Sequence, residues 1–242
     1  MPQRKTVKQE RKNSHSHSKE YLQQVSEGET AVILSELRNI LTRGVNGDIV
    51  EFGCYRGDTS LLMQKVLQRE FPNSTSRLWI YDSFEGLPTR TREDASVAGD
   101  AFRAGELLVT KREVVERFKR AGLKIPRIRK GFFEDLDAGD KGASGIELGT
   151  SDLPSKIAFA FLDGDLYKSI KTSLELVTPR MNKDGVILVH DYNNPQLPGA
   201  SRAVDEWFAR CGGGDFSDID FRSQQKTAPK LQRRESLAII SW

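Results

Sequence analysis

Two apolar runs that stop abruptly in carboxylates constrain this chain most: FAFLDGDLYKS over residues 159–169 and GVILVHDYNN over 185–194. Each reads as a strand, and parallel strands of an α/β sheet bring such stops together along one edge, where ligands bind. Asp163, Asp165, His190 and Asp191 are therefore expected to meet. Like charges gathered in one place are costly unless a cation or a proton compensates them, so the cluster signals an active site rather than a packing need.

The rest of the chain supplies the alternation that a parallel sheet requires. Ser26 and Glu29 have the spacing of a capping box ahead of a helix over 29–43, with apolar positions at Val32, Leu34, Leu37, Ile40 and Leu41. That helix is placed to cover the site. DIVEFG (48–53) is a first strand and TSLLMQKVLQREF (59–71) an amphipathic helix; RLWIYD (77–82) is a second strand. The polar stretch 85–105 is too long for an ordinary connection and is expected to act as a lid or binding loop. A helix over 106–122, a short strand over 125–131, the two carboxylate-ended strands with a helix between them, and a helix over 199–212 continue the pattern. The last strand-like runs, Phe216 to Gln224 and Glu235 to Trp242, have no helix between them and are expected to pair as an antiparallel hairpin. The expected fold is a Rossmann-like α/β domain: a seven-stranded, mostly parallel sheet, helices on both faces, and that hairpin at one edge.

Length and composition bound the rest. The 242 residues suffice for one full-sized domain over 23–242 plus a tail. Hydrophobic residues make up 37%, and no apolar run approaches the roughly 20 residues that span a bilayer. No charged start followed by an apolar core marks a secretory signal, so the expected compartment is the cytoplasm. Cys54 and Cys211 belong to no CxxC pair and read as reduced thiols. The net charge of +3 is unevenly spread: residues 1–20 hold six basic and two acidic side chains, which leaves the remainder slightly negative. Residues 1–22 have almost nothing to bury and read as a disordered basic tail. Without aromatic residues for base stacking, that tail argues poorly for nucleic acid.

The turn after the first strand, EFGCYRGDTS (51–60), narrows the ligand. A dinucleotide fold would place GxGxxG here so that the backbone closes on a pyrophosphate. This chain instead has Tyr55 and Arg56 between Gly53 and Gly57, and Glu51 would repel phosphate and suit a cation. Asp82 at the tip of the second strand is placed to accept hydrogen bonds from ribose hydroxyls. A ribose, a positive charge and no phosphate describe S-adenosylmethionine.

Taken in order, EFGCYRGDTS, YDSFEGLP (81–88), KGFFEDL (130–136), LDGDLYKS (162–169) and VHDY (189–192) resemble the macrocin O-methyltransferase (TylF type) family over roughly residues 30–210. The first turn is also similar to that of catechol O-methyltransferases. The resemblance implies a class I methyltransferase that uses S-adenosylmethionine and a divalent cation, usually magnesium, to methylate a hydroxyl of a sugar or other small natural product. It implies Glu51, Gly53, Tyr55, Gly57, Asp82, Ser83 and Asp163 as cofactor contacts, with Gly131 and Phe132 near the adenine. Asp163, His190 and Asp191 become the metal set, and Asp165 or His190 the base. Family members usually carry an acid where this chain has His190, and imidazole suits Mn, Fe or Zn better than hard magnesium. Either the metal differs, or His190 serves as the base, or the site is poor in metal.

Other roles stand beside these. Asp165 has the position of a cap for a helix starting at Leu166, and Asp191 that of a brace for the turn at Asn193 and Asn194. A cephalosporin-hydroxylase-like component, or a non-catalytic module binding a partner through the basic tail, are the competing functions. The terminal hairpin and the N-terminal helix are the surfaces a homodimer would use.

Overall fold

The computed structural model describes residues 24–99, 102–136, 152–213 and 229–242. The tail expected over 1–22 and the strand expected over 216–224 lie outside these residues. Seven strands form one sheet: β1 (Asp48–Phe52), β2 (Leu78–Asp82), β3 (Arg127–Lys130), β4 (Ile157–Leu162), β5 (Met181–Val189), β6 (Lys230–Arg234) and β7 (Leu237–Ser241). Their order is β3-β2-β1-β4-β5-β7-β6. The first five run parallel, while β7 is antiparallel to β5 and to β6. The terminal hairpin is thus real, but the partner of β7 is the polar KLQRR segment, not residues 216–224.

The helices are α1 (Glu27–Thr42), α2 (Asp58–Arg69), α3 (Lys111–Arg120), α4 (Tyr167–Val177) and α5 (Pro198–Gly213). Alternation along each strand sends side chains to two separate cores. On one face Ile49, Ile80, Phe159, Phe161 and Leu188 pack with Ile33 and Leu37 of α1, Met63 and Val66 of α2, and Val114 and Phe118 of α3. On the other face Val50, Phe52, Tyr81, Leu162 and Val189 pack with Ile170 and Leu174 of α4 and with Val204 and Trp207 of α5. A one-residue slip in any of these strands would exchange the two sets, so register is strongly specified.

Local chemistry sets the helix starts. Ser26 Oγ accepts the Glu29 N–H at 3.2 Å and Glu29 Oε2 accepts the Ser26 N–H at 2.7 Å, the reciprocal box expected for α1. α3 begins at Lys111 rather than 106, because Thr110 and Glu113 form a second such box. Both sheet edges are basic and polar, RIRK in β3 and KLQRR in β6. Charged edge strands oppose edge-to-edge pairing, which counts against the hairpin edge as a dimer surface.

Chain order along the sheet reverses between β1 and β4, and the crevice beyond their carboxyl ends is where such folds bind ligands. Gly53 follows β1 and Asp163 follows β4, with the Asp163 N–H bonded to Phe52 O at 2.7 Å. The two connections approach so closely that a Cβ on Gly53 would lie 1.9 Å from the Asp163 carbonyl oxygen.

Candidate active site

At this switch point lies a cleft with two lobes that share Gln24, Gly53, Tyr55 and Asp163. The first is further lined by Asp82, Leu87, Phe132, Phe133 and Asp165; the second by Glu51, Cys54, Arg56 and Thr59. Of the expected cofactor residues, Glu51, Gly53, Tyr55, Asp82, Ser83, Phe132 and Asp163 therefore line one lobe or both. Gly57 instead starts α2 at φ 77°, and Gly131 turns the chain at φ 150° between β3 and Phe132.

Asp82 shapes the β1–α2 turn. Its Oδ2 accepts the N–H groups of Cys54 at 2.9 Å and Tyr55 at 3.1 Å, and its Oδ1 that of Phe84 at 2.8 Å. The sequence reading assigned Asp82 to a ribose alone and missed this bracing. Ser83 is similarly engaged, donating to Gly86 O at 2.7 Å. Glu51 is 1% exposed and takes a hydrogen bond from the Ser60 hydroxyl. Burial drives its carboxyl up to about 8, a shift that Asp163, Asp82 and Asp58 reinforce and the Ser60 bond opposes.

The carboxylate cluster forms as expected. His190 Nδ1 lies 2.8 Å from Asp163 Oδ1 and 3.1 Å from Asp191 Oδ2, and one donor atom from each residue falls within 4.8 Å of the others. Burial disfavours a charge on His190, yet Asp163, Asp191 and Glu29 around it raise its proton affinity well above the ordinary imidazole range. Two carboxylate oxygens converging on one ring nitrogen call for a cation among them, either a proton on Nδ1 or a metal ion. The spacings of 2.8 and 3.1 Å suit a metal, since adjacent ligands of a six-coordinate ion with bonds near 2.1 Å sit about 3 Å apart. One nitrogen and two oxygens fit a divalent first-row ion.

Asp191 also braces its turn, its Oδ1 accepting from Asn194 Nδ2 at 2.8 Å. The brace foreseen for the turn at Asn193 and Asn194 is therefore present. Asp165 does not cap α4. The Tyr167 N–H donates to Asp94 Oδ1 at 2.7 Å, and Asp165 adopts φ 59° beside the first lobe. Burial pushes Asp165 well above the usual carboxylate range, and Asp163 and Asp191 push the same way. The 85–105 segment, expected as a lid, is fastened at Asp94 to α4 and by the Ser96 hydroxyl to Pro195 O at 2.6 Å.

The remaining partner of the cluster escaped the sequence reading. Glu29 Oε1 lies 3.3 Å from His190 Nε2 and accepts the Ser236 hydroxyl. Burial raises Glu29, but hydrogen bonds from His190, Ser236 and the Ser26 N–H outweigh it and hold the carboxyl well below its usual range. Its only visible sequence signal was the capping box.

Residues 31–220 match the macrocin-O-methyltransferase (TylF) family. The chain belongs to that family. A rhamnosyl-tetracenomycin-C 4'-O-methyltransferase of Streptomyces olivaceus is 32% identical over 76% of this chain and 67% of its own length. Demethyldecarbamoylnovobiocin O-methyltransferase of Streptomyces niveus is 30% identical over 72% of this chain and 63% of its own length. The structure of the O-methyltransferase NovP superposes with a TM-score of 0.63 at 24% identity, covering 88% of this chain and 79% of that one. This TylF-family chain is an S-adenosylmethionine-dependent O-methyltransferase with the class I fold. Among the described residues no helix is long and apolar enough to cross a membrane.

Proposed function

We propose that this enzyme methylates a hydroxyl of a glycosylated or related small natural product, with a divalent cation held by Asp163, His190 and Asp191. The observation that carries the reading is the position of Asp163, which lines both lobes of the cleft and pairs with His190. One residue thereby joins the donor site to the carboxylate cluster. The relatives' hydroxyl acceptors, a rhamnosyl tetracenomycin and a novobiocin precursor, support the acceptor class.

In this reading the first lobe takes the adenosine between Asp82 and Phe132 and admits the acceptor past Asp165 and the 85–105 loop, and the second takes the cationic amino-acid end beside Glu51. Gly53 lets the β1 and β4 connections close on each other beside the donor lobes. A hydroxyl is a weak nucleophile near neutral pH and needs its proton removed as the methyl group moves. Asp165, with a raised proton affinity, faces the lobe where the acceptor oxygen arrives and acts as the general base. A bound divalent ion supplies a lowered pKa at the acceptor hydroxyl and an anchor for it. Leu87, Pro88 and Leu107 give the lobe an apolar wall that excludes water and holds donor and acceptor in line. His190, with Nε2 bonded toward Glu29, holds its ring facing the carboxylates.

Labelled S-adenosylmethionine offered with a panel of glycosides tests this directly. Turnover that disappears on chelation, returns with added divalent ion, and vanishes in Asp163→Ala while the donor still binds by calorimetry is the expected result. Undiminished turnover in Asp163→Ala overturns the reading.

A further inference from the structure

His190 is the one nitrogen in an otherwise oxygen set, and its ring is held by a residue from the far end of the chain. Glu29 sits in the first turn of α1 and is 6% exposed, against 5% for His190. Its two oxygens divide their work. Oε2 closes the capping box with the Ser26 N–H, whereas Oε1 receives the Ser236 hydroxyl from the β6–β7 turn and faces His190 Nε2 at 3.3 Å. Carboxylates only accept, so without a cation the ring carries a hydrogen on each nitrogen; an ion held with Asp163 and Asp191 would take the place of the one on Nδ1, while Glu29 keeps the one on Nε2. Carboxylate, histidine and metal in that order is the arrangement by which an outer residue fixes ring orientation and increases ligand basicity.

We propose that Glu29 is a positioning residue that makes His190 Nδ1 a metal ligand, and that the Glu29–His190 pair turns this site's preference from magnesium toward manganese or cobalt. The inference rests on the reading above that Asp163, His190 and Asp191 hold a cation. Its physical basis is donor chemistry. Magnesium demands oxygen ligands and dehydrates reluctantly, whereas imidazole is a good donor to the first-row divalent ions. Ser236 adds a second hold on Glu29, so the orientation of the ring depends on α1 and on the terminal hairpin together.

The test uses the full chain stripped of metal, with manganese and magnesium binding measured by calorimetry and with pulsed electron paramagnetic resonance of the manganese form. The native chain should bind manganese at least about tenfold more tightly than magnesium and show coupling to a coordinated nitrogen. Glu29→Ala should lower manganese affinity about 10- to 100-fold and weaken that coupling. Glu29→Gln, which keeps an acceptor oxygen, should restore most of the affinity. His190→Asp should abolish the nitrogen coupling and reverse the preference in favour of magnesium. Ser26→Ala breaks the other half of the capping box and separates helix stability from ring positioning: manganese affinity should stay at the native value, with folding checked by circular dichroism. Binding without nitrogen coupling, native affinity in Glu29→Ala, or an equal loss in Ser26→Ala overturns the positioning role while the cation site stands. Failure of the native chain to bind any divalent ion removes the cation reading and this inference together.

Discussion

Asp94 Oδ1 accepts the backbone N–H of Tyr167 at 2.7 Å, so a residue of the 85–105 loop caps α4 from 73 positions away. Asp94 is 1% exposed, and its Oδ2 also takes the Thr91 N–H and hydroxyl. The loop is therefore tied to the helix whose Ser169 lines the first lobe of the cleft. Asp94→Ala removes the cap and unseats the loop at once. Loss of an N-cap costs about 1–2 kcal/mol, which urea denaturation measures. Hydrogen exchange should quicken across 85–105, and KM for the acceptor should rise more than KM for the donor. An equal rise in both would mean that the loop does not shape the acceptor side.

Gly53 is the second sensitive point. At φ 85° a side chain is strained by about 1–2 kcal/mol, and the atom it would strike is the Asp163 carbonyl, which belongs to backbone and cannot swing aside. Gly53→Ala should push the β1 and β4 connections apart. The expected outcome is at least about a tenfold loss of donor affinity by calorimetry, with the chain still folded. Native affinity would show that the narrow gap is irrelevant to the donor.

Glu51 links pH to both stability and donor binding. Its carboxyl titrates near 8 in the folded chain against 4.5 ordinarily, so between these values the folded state keeps a proton that the unfolded chain has released. Stability must then fall as pH rises through this window, by at most about 1.4 kcal/mol per pH unit from this group. Below pH 4.5 the group contributes no slope. Glu51→Gln should flatten this part of the profile. A cationic ligand beside Glu51 favours the ionised carboxylate, so donor binding near pH 7 should release protons and tighten as pH rises. Calorimetry in two buffers of different ionisation heat reads the release, and identical heats in both would contradict it.

Much of this arrangement was legible because apolar β runs and capping boxes are local signals. KIAFAFLD and GVILVHD announce buried parallel strands, and two such strands placed side by side carry Asp163, His190 and Asp191 to one edge. Ser26 and Glu29 announce the start of α1. What was not legible depends on distant partners. KLQRR has no apolar alternation, and it is a strand only because β7 supplies its hydrogen bonds. The cap on α4 looked local, with Asp165 one residue before Leu166, but the left-handed backbone at Asp165 turns it elsewhere and lets Asp94 in. Glu29 gave a complete local account of one oxygen, which left its second oxygen, the one facing His190, without any signal.

Asp165 provides the sharpest test of the chemistry. It follows Gly164 in a left-handed conformation beside the first lobe, and no capping duty explains that strained placement. Burial, the largest influence on it, raises its proton affinity above that of an exposed aspartate. Asp165→Asn keeps the shape but removes the basic oxygen. Turnover should drop about 10²- to 10⁴-fold, the usual worth of a general base, while donor and manganese affinities stay near native. A glycoside acceptor whose hydroxyl is already acidic, such as a phenol, should lose less than an aliphatic alcohol, because less proton transfer is asked of the enzyme. Equal losses for the two acceptors would assign Asp165 to positioning and leave the proton to another group.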